Sequence, residues 1–418
     1  MTLISSASSP ANGGNHTNHV ATLTSVNDRG HSSSGATRIL EALRTEPALL
    51  REDLGRRTKL SPASVTRTTS ALIRAGLVRE LRDNAAWGGR GRPAIPLALV
   101  EDRHVCIGVH LGSEMITIAA GDLRGQVLAQ LSIRNANCSA QPIGLISRAA
   151  GRLLNEFLDR ELLSAGLVAP WHALGLSRIP VARKVHTAFG VPVATGDQIE
   201  AIVDAELTRR QPPPGQSCYI YARNVSGFAM VLSDGTRTEI SRVADLTHVP
   251  TGSRFRCPCG RTGCFGISVG ERAVVARAVQ AGIISTPSID ELEAAARTGN
   301  RGAFAIMQER AALMGRAVAL VRDMQAPDRI VLLGQAVPDA PSARAMLLRG
   351  FRGSTALGPI DLVIPDDADI VQAAAACSVA LRPIYEDPIA VTSALEQDDS
   401  EDLVFTAEAT RPHRRTAT

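Results

Sequence analysis

No apolar run in this 418-residue sequence approaches the ~20 residues that a membrane-spanning helix needs. Its first residues lack the apolar core of a secretory signal; Ser, Asn, His and Gly stand there instead. Both absences lead us to expect a cytoplasmic protein with no membrane partner. A strong net charge is lacking too: the balance is +4, which names no partner by itself. Nor is there an even set of cysteines. Seven cysteines, three of them between Cys257 and Cys264, argue against a disulfide framework and for metal chemistry. Repeats of solenoid period are missing. What remains, 44% hydrophobic and 21% charged, is the composition of a globular protein. The length suits two or three domains of ~150 residues.

The charge that is present is unevenly placed. Between Gly35 and Leu99 stand 12 Arg/Lys and 6 Asp/Glu, a net +6 that leaves −2 for the rest. A basic module on a mildly acidic body suits nucleic-acid contact at one end, although a solvated basic face would give the same balance. Residues 1–34 carry no apolar periodicity and read as a disordered tail. Residues 35–100 read as three short helices and a hairpin. Ile39, Leu40 and Leu43 make one apolar face, and Leu49, Leu50 and Leu54 a second. Ser61 is a helix N-cap with Pro62 at the first helical position. Val65, Thr69, Leu72 and Ile73 follow at helical spacing, and Gly76 closes that helix.

Residues 104–386 read as a mixed α/β body in two lobes. Its pattern predicts strands over Val105 to Val109, Met115 to Ala120 and Val127 to Ile133, a helix over Leu145 to Glu161 and a strand over Ala173 to Leu176. A helix after Asp197 follows, then strands at Tyr219 to Tyr221 and Phe228 to Leu232. A long helical stretch from Val269 to Met324 and a buried strand at Ile330 to Leu333 complete the body. Residues 387–418 read as a second disordered tail, in which Leu403, Val404 and Phe405 could dock.

Helix, turn and helix with Ser61-Pro62 opening the last one is the arrangement that lays a recognition helix in the major groove of double-stranded DNA. Ser61, Ser64, Thr66, Arg67 and Thr68 fall near its start, on the side away from the apolar positions. Arg67 is the candidate for a guanine edge, because its planar fork matches O6 and N7. Arg90 and Arg92 lie in the Gly/Arg loop from Gly88 to Pro93, a candidate wing that can enter a minor groove.

In Cys257-Pro258-Cys259-Gly260-Arg261-Thr262-Gly263-Cys264, glycines let the backbone fold sharply around an ion. Three thiolates and the imidazole of His248 would close a tetrahedral, structural Zn2+ site. This run resembles the zinc motif of the ROK family (repressors, open reading frames and sugar kinases). Ala36 to Leu40, Leu60 to Val65, Ala75 to Val78 and Gly91 to Pro93 are similar to the winged helix-turn-helix of its regulator branch. The resemblance covers about residues 36–385. It implies an actin-like body of two lobes with a sugar or sugar-phosphate effector in the cleft, an operator DNA, and a homodimer or homotetramer.

The departures from that family pattern bear on function. His110-Leu111-Gly112-Ser113-Glu114 stands where family kinases hold phosphate with an Asp-x-Gly-x-Thr turn. A second phosphate turn reads Ala222-Arg223-Asn224-Val225-Ser226-Gly227, and Gly334-Gln335 replaces a Gly-Gly pair. The family's Asn-Asp pair, which carries the kinase base, appears as Gly196-Asp197. Its Glu-x-Gly-His motif appears as Asp245-Leu246-Thr247-His248, and Gly266 replaces a glutamate. A loop between Leu176 and Val191 looks shortened. Asp197, Asp245 and His248 are the residues left to meet an effector, though Asp197 also suits a helix N-cap. The expected function is a DNA-binding transcriptional regulator, a repressor by branch, and not an enzyme. The alternatives are an ATP-dependent sugar kinase and a regulator with no small-molecule effector.

Overall fold

A computed structural model describes residues 34–82, 94–135, 143–235, 238–334, 340–365, 370–397 and 404–405. The chain opens with helices α1 (Gly35–Thr45), α2 (Arg51–Thr58) and α3 (Pro62–Arg74) and a ribbon of β1 (Val78–Glu80) and β2 (Leu97–Leu99). Ser34 caps α1 by accepting the Thr37 N–H at 3.1 Å. Ile39, Leu40 and Leu43 are at most 1% exposed, and each such side chain stabilises by about 1.5–3 kcal/mol relative to an exposed one. The second apolar group is not all helical. Leu49 exchanges both backbone hydrogen bonds with Leu97, at 2.9 and 2.8 Å, and so adds a single-residue bridge on the other edge of β2. Leu50 is the α2 N-cap, and of the three leucines only Leu54 is buried from within that helix, beside Thr58. Gly76, at φ +69°, ends α3 in the left-handed conformation that glycine adopts freely.

The body follows. β3 (His104–Leu111), β4 (Met115–Gly121) and β5 (Val127–Arg134) form an antiparallel meander. Then come α4 (Ile143–Leu154), β6 (Glu161–Ala169), α5 (Trp171–Leu174), α6 (Arg178–Phe189), β7 (Val193–Asp197) and α7 (Gln198–Arg209). The second sheet begins with β8 (Gly215–Ala222), β9 (Ser226–Ser233) and β10 (Thr238–Asp245). Helices α8 (Phe265–Val269), α9 (Glu271–Gln280), α10 (Ile289–Arg297) and α11 (Arg301–Gln325) lead to β11 (Arg329–Leu333), α12 (Pro341–Arg352) and β12 (Asp361–Val363). The chain ends with α13 (Val371–Ala380), α14 (Arg382–Glu386), α15 (Pro388–Gln397) and β13 (Val404–Phe405).

Strand order is β13-β7-β6-β3-β4-β5 in one lobe and β10-β9-β8-β11-β12 in the other. Alternation along β3 explains the layering. Val105, Ile107 and Val109 share a core with α4 and α6, whereas Cys106 meets Cys377 of α13. In the other lobe, Cys218 and Ile220 face α11 and α12, while Tyr219 and Tyr221 face α7 and α13. Helices α7 and α13 thus fill the layer between the sheets. The approach of α13 is close enough to require glycine: a Cβ at Gly108 would lie 2.4 Å from Ala376 C, and one at Gly166 would lie 2.3 Å from Ala380 N.

Four expectations are corrected. The helix expected to reach Glu161 stops at Leu154 with one further turn to Phe157, and Glu161–Ala169 is a central strand. Ala173 to Leu176, expected as a strand, begins as the short helix α5. The long helical stretch is three helices, α9 to α11, because Gly270 and the caps Ser288 and Asn300 each start a new one. The segment after Asp387 is not all loose: α15 buries Val391, and Val404–Phe405 pairs in parallel with Val193 and Ala194. The amino-terminal unit is not a separate bead either. Ile39, Leu43 and Leu72 share one core with Leu123, Cys377, Leu381 and Tyr385 of the body.

Candidate nucleic-acid interface, cleft and metal centre

In α3, Val65, Thr69 and Leu72 are buried and Ile73 is half-buried, so the exposed side carries Ser61, Thr66, Arg67, Ser70 and Arg74. The Ser61 hydroxyl accepts the Ser64 N–H at 3.3 Å and donates to Ser64 Oγ at 3.0 Å, which pins the helix start. Thr66 donates to the Pro62 carbonyl at 2.9 Å. Thr68 is half-buried toward Gly35 of α1, so it stands at the edge of the exposed side.

The basic excess is narrower than its count suggests. Arg38 donates to the Thr58 carbonyl, Arg51 pairs with Glu80, Arg56 with Asp53, Arg57 with Glu46, Arg79 with Asp102 and Arg82 with Glu80. Lys59, Arg67 and Arg74 make no ion pair or side-chain hydrogen bond among the described residues. These three lie on the turn and on α3, so the uncommitted charge is concentrated on the helix-turn-helix. The sequence alone does not separate them from the rest, because the pairings are set by the fold. Arg90 and Arg92 lie outside the described residues.

The two turns at the lobe junction are stitched to each other. Arg272, at the start of α9, donates to Glu114 Oε1 at 3.0 Å, and its N–H to Asn224 Oδ1 at 2.8 Å. Arg223 donates to Glu271 Oε2 at 2.9 Å. His110 is buried, and burial together with the Arg223 charge pushes it down to about 3, so it is neutral at pH 7. A carboxylate, a neutral imidazole and two arginines already matched to carboxylates make a poor cradle for a polyphosphate.

Asp197 stands at the N-cap of α7 but makes no side-chain capping bond. Arg178 of α6 donates to its carboxylate instead. Helix α6 occupies the stretch that looked shortened. A Cβ at Gly196 would lie 2.7 Å from Val379 Cγ2, so a larger residue cannot stand beside Asp197 unless the Val379 side chain of α13 gives way. Asp245 is exposed at the end of β10 and accepts the Thr247 N–H at 2.5 Å. Asp197 and Asp245 therefore end strands of different sheets, and His248 is turned to the cysteines.

The ligand atoms of His248, Cys257, Cys259 and Cys264 all lie within 4.8 Å of one another. His248 Nδ1 is 3.8 Å from Cys257 Sγ, and Cys259 Sγ is 3.6 Å from Cys264 Sγ. A tetrahedron with ~2.3 Å zinc–sulfur bonds has edges of about 3.8 Å, so the donor set and its spacing fit zinc. The bridges Arg256 to Thr262 and Pro250 to Cys264 fold the loop back on itself, with Gly260 at φ +87°. Hydrogen bonds from Arg261, its backbone N–H first, pull the Cys259 thiol down to about 6. Cys106, Cys218 and Cys377 are buried free thiols, and Cys138 lies outside the described residues.

Residues 106–346 match the ROK family. Transcriptional regulator Mb0495 of Mycobacterium bovis is 31% identical over 385 residues, 86% of this chain and 87% of that protein. The DNA-binding transcriptional dual regulator NagC of Escherichia coli K12 is 25% identical over 321 residues, 68% of this chain and 76% of NagC. Among solved structures, a ROK family transcriptional regulator described as a homologue of the E. coli Mlc protein superposes with a TM-score of 0.64 at 23% identity. The match covers 86% of this chain and 98% of that one.

Proposed function

The chain belongs to the ROK family, and on that premise we propose that it is a sequence-specific DNA-binding transcriptional regulator of the repressor type, not an enzyme. Helix α3 lies in the major groove, with Arg67 on a base edge and Lys59 and Arg74 on phosphates. Ser61 and Ser64 hold the helix start, whose N–H groups favour a phosphate. Arg90 and Arg92 belong to the wing. The observation that carries the reading is the set of uncommitted cations on the turn and α3. The regulators named among its relatives support it, as does the absence of a phosphate cradle at residues 110–114 and 222–227 among the described residues. The test is fluorescence anisotropy on DNA that the full-length protein enriches from a random pool. Arg67→Ala should cost about 1–3 kcal/mol on that DNA and relax one base position. Unchanged affinity and specificity would remove Arg67 from the interface.

Zinc bound by His248, Cys257, Cys259 and Cys264 supplies structural cross-linking and no reaction. Those four residues hold the hairpin between β10 and α8 against the second lobe. The regulator acts as a homodimer or homotetramer on an operator with two half-sites. Two readings of the cleft stand side by side: a sugar or sugar-phosphate meeting Asp197, Asp245 and His248, and no small-molecule effector. The Arg178–Asp197 ion pair favours the second, since the carboxylate best placed for a hydroxyl already has a guanidinium partner. No helix among the described residues is long and apolar enough to cross a membrane.

A further inference from the structure

Helix α1 is where the amino-terminal unit leans on the body. A helix end leaves its last carbonyls without intrahelical partners. In α1 the following residue, Glu46, is extended, and no glycine turn takes up those carbonyls. Arg124 of the body does. Its Nη1 donates to Leu43 O and Arg44 O, both at 2.8 Å, and its Nη2 to Glu46 O at 3.1 Å. Its Nε donates to Glu101 Oε1 at 2.6 Å, and its side chain is 14% exposed. A guanidinium at a helix carboxyl end is favoured by the helix dipole, and its planar fork fixes direction as well as distance.

The grip is reciprocal. Arg44 Nε donates to Arg124 O at 3.0 Å, and the Arg44 guanidinium lies over the Tyr385 ring, 4.9 Å from its centre. The Tyr385 hydroxyl donates to Leu123 O at 2.7 Å. Arg124 sits in the turn between β4 and β5. Asp122 shapes that turn by accepting the N–H groups of Arg124 and Gln126, both at 2.9 Å. The apolar contact of Leu43 with Leu381 and Tyr385 holds the units together, but such contact is non-directional. Thr37 Oγ1 donates to Glu386 O at 3.2 Å and the His104 ring meets Gly76 O at 3.0 Å, but Arg124, with bonds to three carbonyls at one helix end, is the most directional link across the join.

We propose that Arg124 is a positioning residue for operator geometry: it fixes the angle at which the helix-turn-helix leaves the body, and so the half-site spacing that an oligomer of this chain accepts. The proposal rests on the DNA-binding reading above. Two recognition helices on one rigid oligomer must meet grooves a set distance apart, so a loosened angle shows as lost spacing preference rather than lost groove contact.

The test uses the full-length protein and the DNA it enriches from a random pool, with two to five base pairs inserted between half-sites. The wild type should lose about tenfold or more in affinity on the shifted spacings, and Arg124→Ala about threefold or less. On a single half-site the two should agree within about twofold. Arg124→Lys should behave like Arg124→Ala, because one ammonium cannot span three carbonyls and a carboxylate. Should Arg124→Ala fail to fold, Tyr385→Phe reads the same turn and should weaken the spacing preference at least about threefold. The wild-type preference retained in the variant, full rescue by lysine, or a wild type indifferent to spacing would overturn the proposal. A wild type that enriches no DNA would overturn the regulator reading instead.

Discussion

Lys59 is held at φ +54° on the turn before α3, and among the described residues its ammonium has no ion pair or hydrogen bond. A contact from there to a phosphate carries no sequence information. Lys59→Ala should weaken binding about equally on all sequences and lower the log–log salt slope by about 1, which a salt titration of anisotropy reads. A slope equal to that of the wild type would place Lys59 off the backbone. His110 makes a prediction about stability. Burial, then the Arg223 charge, takes its pKa from 6.5 in the unfolded chain to about 3 in the fold. Between those values the unfolded chain binds the extra proton, so His110 costs nothing above pH 6.5 and destabilises progressively below it. The loss accrues at up to about 1.4 kcal/mol per pH unit. Urea unfolding between pH 7 and pH 5 should show a shallower fall for His110→Gln than for the wild type; parallel curves would contradict the burial argument. Part of the candidate site is legible in the sequence. The cysteine run is, because its ligands are close along the chain. Arg178 on Asp197 and Arg272 on Glu114 are not, because 158 residues separate the latter pair.

At the scale of elements, amphipathic α1 and the capped α3 follow directly from the residues, since one face is buried and the other wet. Strand β6 escapes the same reasoning. From Leu163 onward it is buried on both faces, so Leu163 to Ala169 shows no alternation to mark it as a strand. Helix α13 is uniformly buried and rich in alanine, and its role appears only when Gly108 and Gly166 are seen beneath it. Gly166→Ala should therefore destabilise by about 1–3 kcal/mol, because Ala380 N is backbone and cannot step aside. Gly151 lies in α4 with nothing within 4 Å of an added Cβ, so Gly151→Ala should stabilise by about 0.5–1 kcal/mol. Denaturation midpoints of the two variants moving in the same direction would contradict this packing. The carboxyl-terminal strand β13 is legible only as a dockable Leu-Val-Phe segment; its partner β7 is more than 200 residues upstream, and nothing local names it.

At the scale of the molecule, one core joins the winged unit to the body, so cutting the chain near residue 100 would bare Leu381, Ile384 and Tyr385. Point variants are the cleaner probe. The proposed zinc site belongs to this scale as well, because the hairpin that carries its four candidate ligands lies in the second lobe, far along the chain from α3. Elemental analysis should find one zinc per chain, and Cys259→Ser should lower it and the thermal midpoint while leaving half-site affinity nearly intact. A folded, zinc-free wild type would contradict the metal assignment. On the proposed function, the cations of the turn and α3 that are uncommitted among the described residues meet one specific DNA sequence. Selection from a random double-stranded pool by the full-length protein at about 150 mM salt, where weak backbone attraction is screened, tests that claim most directly. The expected result is enrichment of one motif with paired half-sites, lost in Arg67→Glu although that variant folds and keeps its zinc; a pool with no enriched motif, or one enriched equally by Arg67→Glu, would contradict it.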